Sequence, residues 1–194
     1  MKSNSISPLK LAFDIDGVIA DTFRTFVSIA RNEYGISVEY EDIQEYNFGK
    51  VIEEMDETTG EQIVNQIIND PLGMGIQPVE GSVSVIERLS ELGPLLFVTA
   101  RPEKAGIMKW MNAHFHLNGS DRIHVVATGT HQDKIPVLLD LKVEYFVDDR
   151  LDTCYLLEKE AIVPIVFEQP WNRKPHPFQK VKSWDEISSI IEWG

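Results

Sequence analysis

The chain has 194 residues, with 18 Lys and Arg against 31 Asp and Glu, and a formal charge of −13. That length supports one core of ordinary size with a small appendage. So acidic a surface repels phosphate backbones and anionic membranes, which argues against a nucleic acid polymer or a membrane as partner. A small phosphorylated metabolite stays open, because a metal ion and one or two cations reverse the field locally. The single cysteine, Cys154, excludes an internal disulfide and a thiolate-built metal site. It falls among Leu156 and Leu157 in a helical apolar pattern, as a buried structural thiol would. Met1 to Pro8 is polar and lacks the apolar stretch of a signal peptide, and no run approaches the ~20 residues of a membrane span. A cytoplasmic location is the expectation.

In chain order, the apolar run Leu9 to Phe13 predicts a buried strand. It ends in Asp14-Ile15-Asp16-Gly17-Val18-Ile19-Ala20-Asp21. Residues two apart on a strand project to one side, so Asp14 and Asp16 repel each other past its end unless something positive lies between them. Gly17 permits a sharp turn there. Phe23, Phe26, Val27, Ala30 and Tyr34 then follow helical spacing before Gly35. From Gly35 to about Pro78 no strand is evident, only helical patches such as Ile63, Val64, Ile67 and Ile68, which predicts a small helical insertion. Its acidic cluster Glu53, Glu54, Asp56 and Glu57 reads as a solvated helix face.

Beyond the insertion, helical patterns at Val85 to Leu92, Ile107 to Met111 and Leu138 to Leu141 alternate with strands predicted at Leu95 to Val98, Ile123 to Ala127, Val143 to Val147 and Ile162 to Phe167. The stretch Pro170 to Pro177 reads as an ordered loop, and a last helix is expected around Trp184 to Trp193. This alternation predicts an α/β fold with a doubly wound parallel sheet. Residues 1–20 and 79–194 would form the core, with a small helical cap, 21–78, inserted after the first strand. Ligands of such sheets sit at the carboxyl ends of the strands, where Asp14 and Asp16 lie.

Other strand ends are polar too. Thr99 and Arg101 follow the second strand, and a hydroxyl and a cation there suit phosphate. Asp148 and Asp149 follow the fourth and can complete an oxygen-rich Mg²⁺ shell with Asp14 and Asp16. Lys134 opens a helix where a lysine can neutralise phosphate. Each has a plainer reading. Asp14-x-Asp16 alone fits a turn or helix N-cap as well as a catalytic pair. Thr99 alone reads as a strand-end hydroxyl, Lys134 as a solvated lysine, Asp148-Asp149 as a helix cap, and Arg101 as half of a surface ion pair. All four groups in one order make the plain readings improbable together. His114 and His116, flanking Phe115 near a helix end, read as solvated side chains rather than a paired metal site, His124, His131 and His176 show no ligand-like spacing, and Trp110, Trp171, Trp184 and Trp193 read as packing residues.

An acidic first strand, a Thr, a Lys and a second acidic pair, in that order over nearly the whole chain, closely resemble the haloacid dehalogenase superfamily of aspartyl phosphotransferases. The resemblance implies Asp14 as nucleophile, Asp16 as general acid and base, and Thr99 and Lys134 as phosphate ligands. It also implies Mg²⁺ held by the Asp14 side chain, the Asp16 backbone carbonyl and one of the fourth-strand aspartates, with Asp149 as direct ligand and Asp148 as support. Phosphoryl transfer asks mainly for alignment and charge neutralisation, which this set can supply. A proton donor in Asp16 argues against dehalogenation proper, since halide leaves without one.

Within that superfamily, Asp-x-Asp-Gly-Val-Ile-Ala-Asp, the helical insertion and the late Phe167-Glu168-Gln169-Pro170-Trp171-Asn172 resemble the 5′(3′)-deoxyribonucleotidase family and its bacterial relatives. The expectation is a Mg²⁺-dependent phosphomonoesterase, a monomer or homodimer, with a nucleoside monophosphate as substrate. Tyr46 and Phe48, with Met55, are the candidates to stack on a base, and the insertion's own small core is the rival role for each. A phosphatase acting on a sugar phosphate, a phosphomutase, and a non-catalytic binding protein with a relic site are the alternatives.

Overall fold

The computed structural model describes residues 5–46, 52, 55–117, 119 and 121–194. Six strands form one sheet: β1 (Leu11–Phe13), β2 (Leu95–Thr99), β3 (Ile123–Ala127), β4 (Tyr145–Asp148), β5 (Val163–Phe167) and β6 (Gln179–Val181). The order is β3-β2-β1-β4-β5-β6, and every named pairing is parallel. The chain therefore winds one way from β1 through β2 to β3 and the other way from β4 to β6. β1 lies at the switch point, where a crevice opens at the carboxyl edge.

Pleating divides the strand residues between two cores. Leu11, Phe13, Phe97, Val147 and Ile165 point into the larger one, shared with helices α3 (Ser82–Leu92), α4 (Ala105–His114) and α7 (Trp184–Ile190). Ala12, Val98 and Phe146, one residue out of step, face the smaller one, with Leu138 of α5 (Lys134–Asp140) and Leu157 of α6 (Leu151–Lys159). Burial on both faces makes these strands read as continuous apolar runs. The doubly wound α/β sheet expected from the sequence is the fold found.

Between β1 and β2 stand α1 (Thr22–Tyr34) and α2 (Glu57–Asn69). Asp21 caps the first, accepting from the Arg24 amide, and Asp56 caps the second, accepting from the Thr59 amide. Ile63 and Ile67 bury the inner face of α2 in the larger core. The chain leaves and returns through two segments in contact: the Asp21 amide donates to the Gln77 carbonyl at 2.9 Å, and the Val79 amide to the Ile19 carbonyl at 2.9 Å.

Most strand boundaries shift by one or two residues from expectation, and one strand is new. β1 starts at Leu11, because Pro8–Lys10 forms a 3₁₀ turn that leaves Leu9 exposed. The last helix ends at Ile190, and Trp193 lies beyond it with the Arg88 guanidinium 3.8 Å from its ring. β6 was not anticipated, since Gln179 and Lys180 are exposed and only Val181 is buried, which leaves no apolar run to read. Among the described residues no helix is long and apolar enough to cross a membrane.

Trp184 ties the last helix to the edge where β1 ends. Its ring lies 5.3 Å from that of Phe13, and its indole N–H donates to the Val18 carbonyl at 2.9 Å. Trp184→Phe removes that donor and leaves a void, so a loss of about 2–4 kcal/mol in unfolding free energy is expected by urea titration. A loss below about 0.5 kcal/mol would contradict this role.

Candidate active site

The register of the sheet sets the site. Phe13 pairs with Val147, and the Asp14 amide donates to the Val147 carbonyl at 2.8 Å, so Asp14 and Asp148 emerge side by side. Thr99 closes β2 on the other flank of β1. Lys134 begins α5 and reaches between the two carboxylates, with Nζ 2.7 Å from Asp14 Oδ2 and 2.9 Å from Asp148 Oδ2. Its side chain is 0 % exposed. The plain readings of a solvated Lys134 and a surface ion pair at Arg101 thus give way to buried contacts.

Every one of these groups has its own partners. Asp14 Oδ1 accepts from the Ile15 amide at 2.7 Å, and Asp148 Oδ1 from the Arg150 amide at 2.8 Å. The Thr99 hydroxyl accepts from the Arg101 amide at 3.3 Å. Asp149 is the exception: it is fully buried, and neither carboxylate oxygen has a hydrogen-bond partner. One oxygen each from Asp14, Asp148 and Asp149 lie within 4.8 Å of one another.

Burial and neighbouring charge separate the acids. Burial raises Asp14 to about 7, with Lys134 opposing and Asp148 adding to the rise. Burial, then Asp148 and Asp14, push Asp149 well above the usual carboxylate range. For Asp16, burial also acts upward, but the charge and hydrogen bonds of Arg101, with the Thr22 hydroxyl, overcome it and hold the carboxyl low. For Lys134, desolvation is outweighed by Asp14 and Asp148, so the ammonium stays protonated.

Asp16 stands apart from the Asp14 cluster. Arg101 grips it bidentately, Nε to Oδ2 at 2.9 Å and Nη2 to Oδ1 at 2.7 Å, and the Thr22 hydroxyl donates to Oδ1 at 2.5 Å. Both Asp16 and Arg101 line a cavity of about 790 Å³ beneath α2 and α1. Its walls include Phe23, Tyr46, Val64, Ile68, His131 and Arg150. Tyr46 therefore reaches the cavity; Met55 is buried in the larger core, and Phe48 lies outside the described residues.

Several contributors were not assigned to the site from sequence, although Gln169, Trp171 and Asn172 were part of the motif that carried the family resemblance. His131 meets the Tyr46 ring edge-on at 5.3 Å, and the Arg150 guanidinium lies 4.8 Å from the same ring. Burial, then the charges of Lys134 and Arg150, lower His131 to about 4, so it is neutral near pH 7. The 3₁₀ turn Pro170–Asn172 buckles the site from behind. Gln169 Nε2 donates to the Gly17 carbonyl at 2.7 Å, and Asn172 Nδ2 to the Asp149 carbonyl at 2.8 Å. Trp171 stacks on Phe23 with centroids 3.7 Å apart. Amide side chains flanking Pro-Trp directly after a buried strand were the available signal.

Residues 7–193 match the family described as 5′ nucleotidase, deoxy (Pyrimidine), cytosolic type C protein. A provisionally named nucleotidase of Halalkalibacterium halodurans is 22 % identical over 204 residues, covering 95 % of this chain and 93 % of its own. Another, from Oceanobacillus iheyensis, is 20 % identical over 192 residues, covering 92 % and 97 %. In fold, the chain is similar to the crystal structure of a provisionally named phosphoglycolate phosphatase from Lactobacillus plantarum, with TM-score 0.60, 12 % identity, and 96 % of this chain and 100 % of that one covered. A parallel sheet with an acidic first-strand end, and a family match over almost the full length, lead to one assignment: the chain belongs to the 5′ nucleotidase, deoxy, cytosolic type C family of haloacid dehalogenase-like phosphoric monoester hydrolases.

Proposed function

We propose that the chain hydrolyses nucleoside monophosphates with Mg²⁺, by way of a phosphoryl group carried on Asp14. The observation that carries the metal is Asp149. A buried carboxylate with neither oxygen bonded is costly, and three carboxylates within 4.8 Å of one another form an oxygen-rich set that suits a hard divalent cation. Asp14 and Asp149 would hold it through their side chains and Asp16 through its backbone carbonyl. When bound, the ion supplies a positive centre for the oxygens of the transferring phosphoryl group.

Gly17 supports the same reading. With φ at +75°, a Cβ there would sit 2.1 Å from Asp149 Oδ2 and 3.3 Å from Trp171. Only a glycine lets the turn pass so close to the acid and adopt that backbone angle.

The chemistry divides between the two first-strand acids. The Asp14 carboxylate attacks phosphorus, the bond to the leaving oxygen breaks, and the proton on Asp16 goes to the departing alkoxide. Water then attacks the aspartyl phosphate, Asp16 takes the water's proton, and phosphate leaves with Asp14 restored. Lys134 fixes Asp14 and neutralises charge near the phosphate, and the Thr99 hydroxyl offers it a further contact. Asp16 as found, accepting from Arg101 and Thr22, is in the ionised form that the second step needs; the first step needs it protonated, a form that the negative charge of a phosphate ester entering beside it would favour.

Residues 21–78 act as a cap over a core of 1–20 and 79–194. Phe23 and Tyr46 give its cavity flat aromatic walls, which favour a nucleobase over a bare sugar. The nucleotidase names of both bacterial relatives point the same way.

Phosphate release measured across ribo- and deoxyribonucleoside monophosphates and sugar phosphates tests the substrate: nucleotides should turn over best, and turnover of sugar phosphates alone would overturn the nucleotide reading. Chelation should abolish activity. Asp14→Asn should lower turnover of p-nitrophenyl phosphate by at least about 10³-fold, and wild-type activity in that variant would refute the nucleophile.

Metal binding has its own readout in thermal unfolding. Mg²⁺ at about 100 times its dissociation constant should stabilise the wild type by about 2.7 kcal/mol. Asp149→Asn, which replaces an unpaired buried carboxyl with a neutral amide of the same size, should melt no lower than the wild type in chelator yet gain nothing from Mg²⁺. Gly17→Ala should lose the Mg²⁺ increment as well. A full increment in Asp149→Asn would exclude Asp149 as a ligand.

A further inference from the structure

Arg101 is placed to do more than bind a phosphate. Its guanidinium is 1 % exposed, and three N–H directions are already committed: Nε and Nη2 to the two oxygens of Asp16, and Nη1 to the Ile68 carbonyl at 2.9 Å. Guanidinium carries five N–H groups in a rigid fork, so fixing three fixes the plane of the group and of the carboxylate it holds. Ile68 belongs to the last turn of α2, and Arg101 follows β2 in the core. One side chain thus joins the core, the cap helix and Asp16.

The joint is seated by a close approach nearby. Gly106, in the first turn of α4, faces the end of α2: a Cβ added there would lie 3.0 Å from the Asn69 carbonyl and 3.6 Å from the Ile68 carbonyl. Four residues on, Trp110 donates its indole N–H to the Ile76 carbonyl at 2.8 Å, where the chain returns from the cap. The carbonyl that anchors Arg101 is therefore located by how α2 rests on α4. On the other side of Asp16, Thr22 at the start of α1 supplies the remaining hydrogen bond.

We infer that Arg101 is a positioning residue, which ties the orientation of the Asp16 carboxylate to the seating of the cap helix α2 against the core. The inference rests on the phosphatase reading above and assigns Arg101 a role other than phosphate clamp. A proton donor matters most when the leaving group is a poor one. Alkoxide departs only with a proton, whereas p-nitrophenolate departs readily without one. Loss of Asp16 alignment should therefore separate the two substrate types, and loss of a phosphate ligand should not.

The test compares wild type, Arg101→Lys, Arg101→Met and the remote Gly106→Ala on a nucleoside 5′-monophosphate and on p-nitrophenyl phosphate, with inorganic phosphate as product inhibitor. In the Arg101 variants kcat for the nucleotide should fall about 100-fold, with kcat for p-nitrophenyl phosphate down less than about 5-fold. The inhibition constant of phosphate should stay within about 3-fold of wild type. Gly106→Ala, which touches neither substrate nor metal, should show the same selective loss at about 5–10-fold. Equal loss on both substrates with phosphate binding weakened about 10-fold or more would make Arg101 a phosphate ligand and overturn the inference. Equal loss without that weakening, or no loss, would reduce it to a packing residue. If Arg101→Met fails to fold by circular dichroism, the lysine and Gly106 variants decide. Wild-type protein inactive on both esters would refute the phosphatase itself, whereas active wild type with parallel losses would refute only the coupling.

Discussion

The buried ammonium of Lys134 is what lets this sheet end in carboxylates at all. Asp14 and Asp148 leave adjacent strands side by side, and Lys134 sits between them at 2.7 and 2.9 Å. Two like charges so placed in a water-poor site cannot both ionise without a cation. Even so, the balance is incomplete. Among the described residues, Asp14, Asp16 and Asp148 pair with two cations, Lys134 and Arg101, so with all four acids ionised, Asp149 included, two negative charges would be left over. That excess would fall where Asp149 has no hydrogen-bond donor. The high proton affinity of Asp14 and Asp149 expresses the same shortage.

Around this centre, neutral groups hold the backbone rather than the charges. Gln169 and Asn172 bind the carbonyls of Gly17 and Asp149, and the Tyr40 hydroxyl donates to the other end of the Gln169 amide at 2.5 Å. Trp171 stacks on Phe23 from the same turn, and Trp184 holds Val18. Loops that carry reactive groups are ordinarily the mobile part of an α/β protein. Here the loops after β1 and β4 are tied to neighbouring elements by buried amides and an indole, which keeps their acids in place without spending further charge on them.

Charge also divides the site into two environments. Lys134 serves Asp14 and Asp148, all three buried, while Arg101 serves Asp16 at the wall of the cavity. Two carboxylates one residue apart in sequence thus come to differ in proton affinity, one raised to about 7 and the other lowered. The order found here, with Asp14 holding its proton more tightly than Asp16, is the reverse of what a nucleophile and a proton donor need, and a divalent ion on Asp14 would invert it by favouring the ionised carboxylate.

Much of this was legible in the chain. Strands buried on both faces must be continuous apolar runs, so β1, β2, β4 and β5 stood out, and the edge strand β3 stood out because Ile123, Val125, Val126 and Ala127 are apolar although only Val125 is fully buried; polar residues at the strand ends marked one rim. β6 did not, because it is only three residues long and two of them, Gln179 and Lys180, are polar and exposed. Phe48 lies outside the described residues, and the helical patches of the insertion did not say which of its aromatics would reach a cavity. Sequence by itself determined the fold class, the order of the polar groups at the strand ends and the excess of acid over base, because these follow from local periodicity and composition. Only the tertiary structure decided that Asp149 rather than Asp148 is left without a donor, that Arg101 grips Asp16 and the end of α2, and that Gln169 and Asn172 brace the loops. Those outcomes depend on distances between segments far apart in the chain, and hydrogen-bond reach of a few ångströms is set by packing, not by spacing along the sequence.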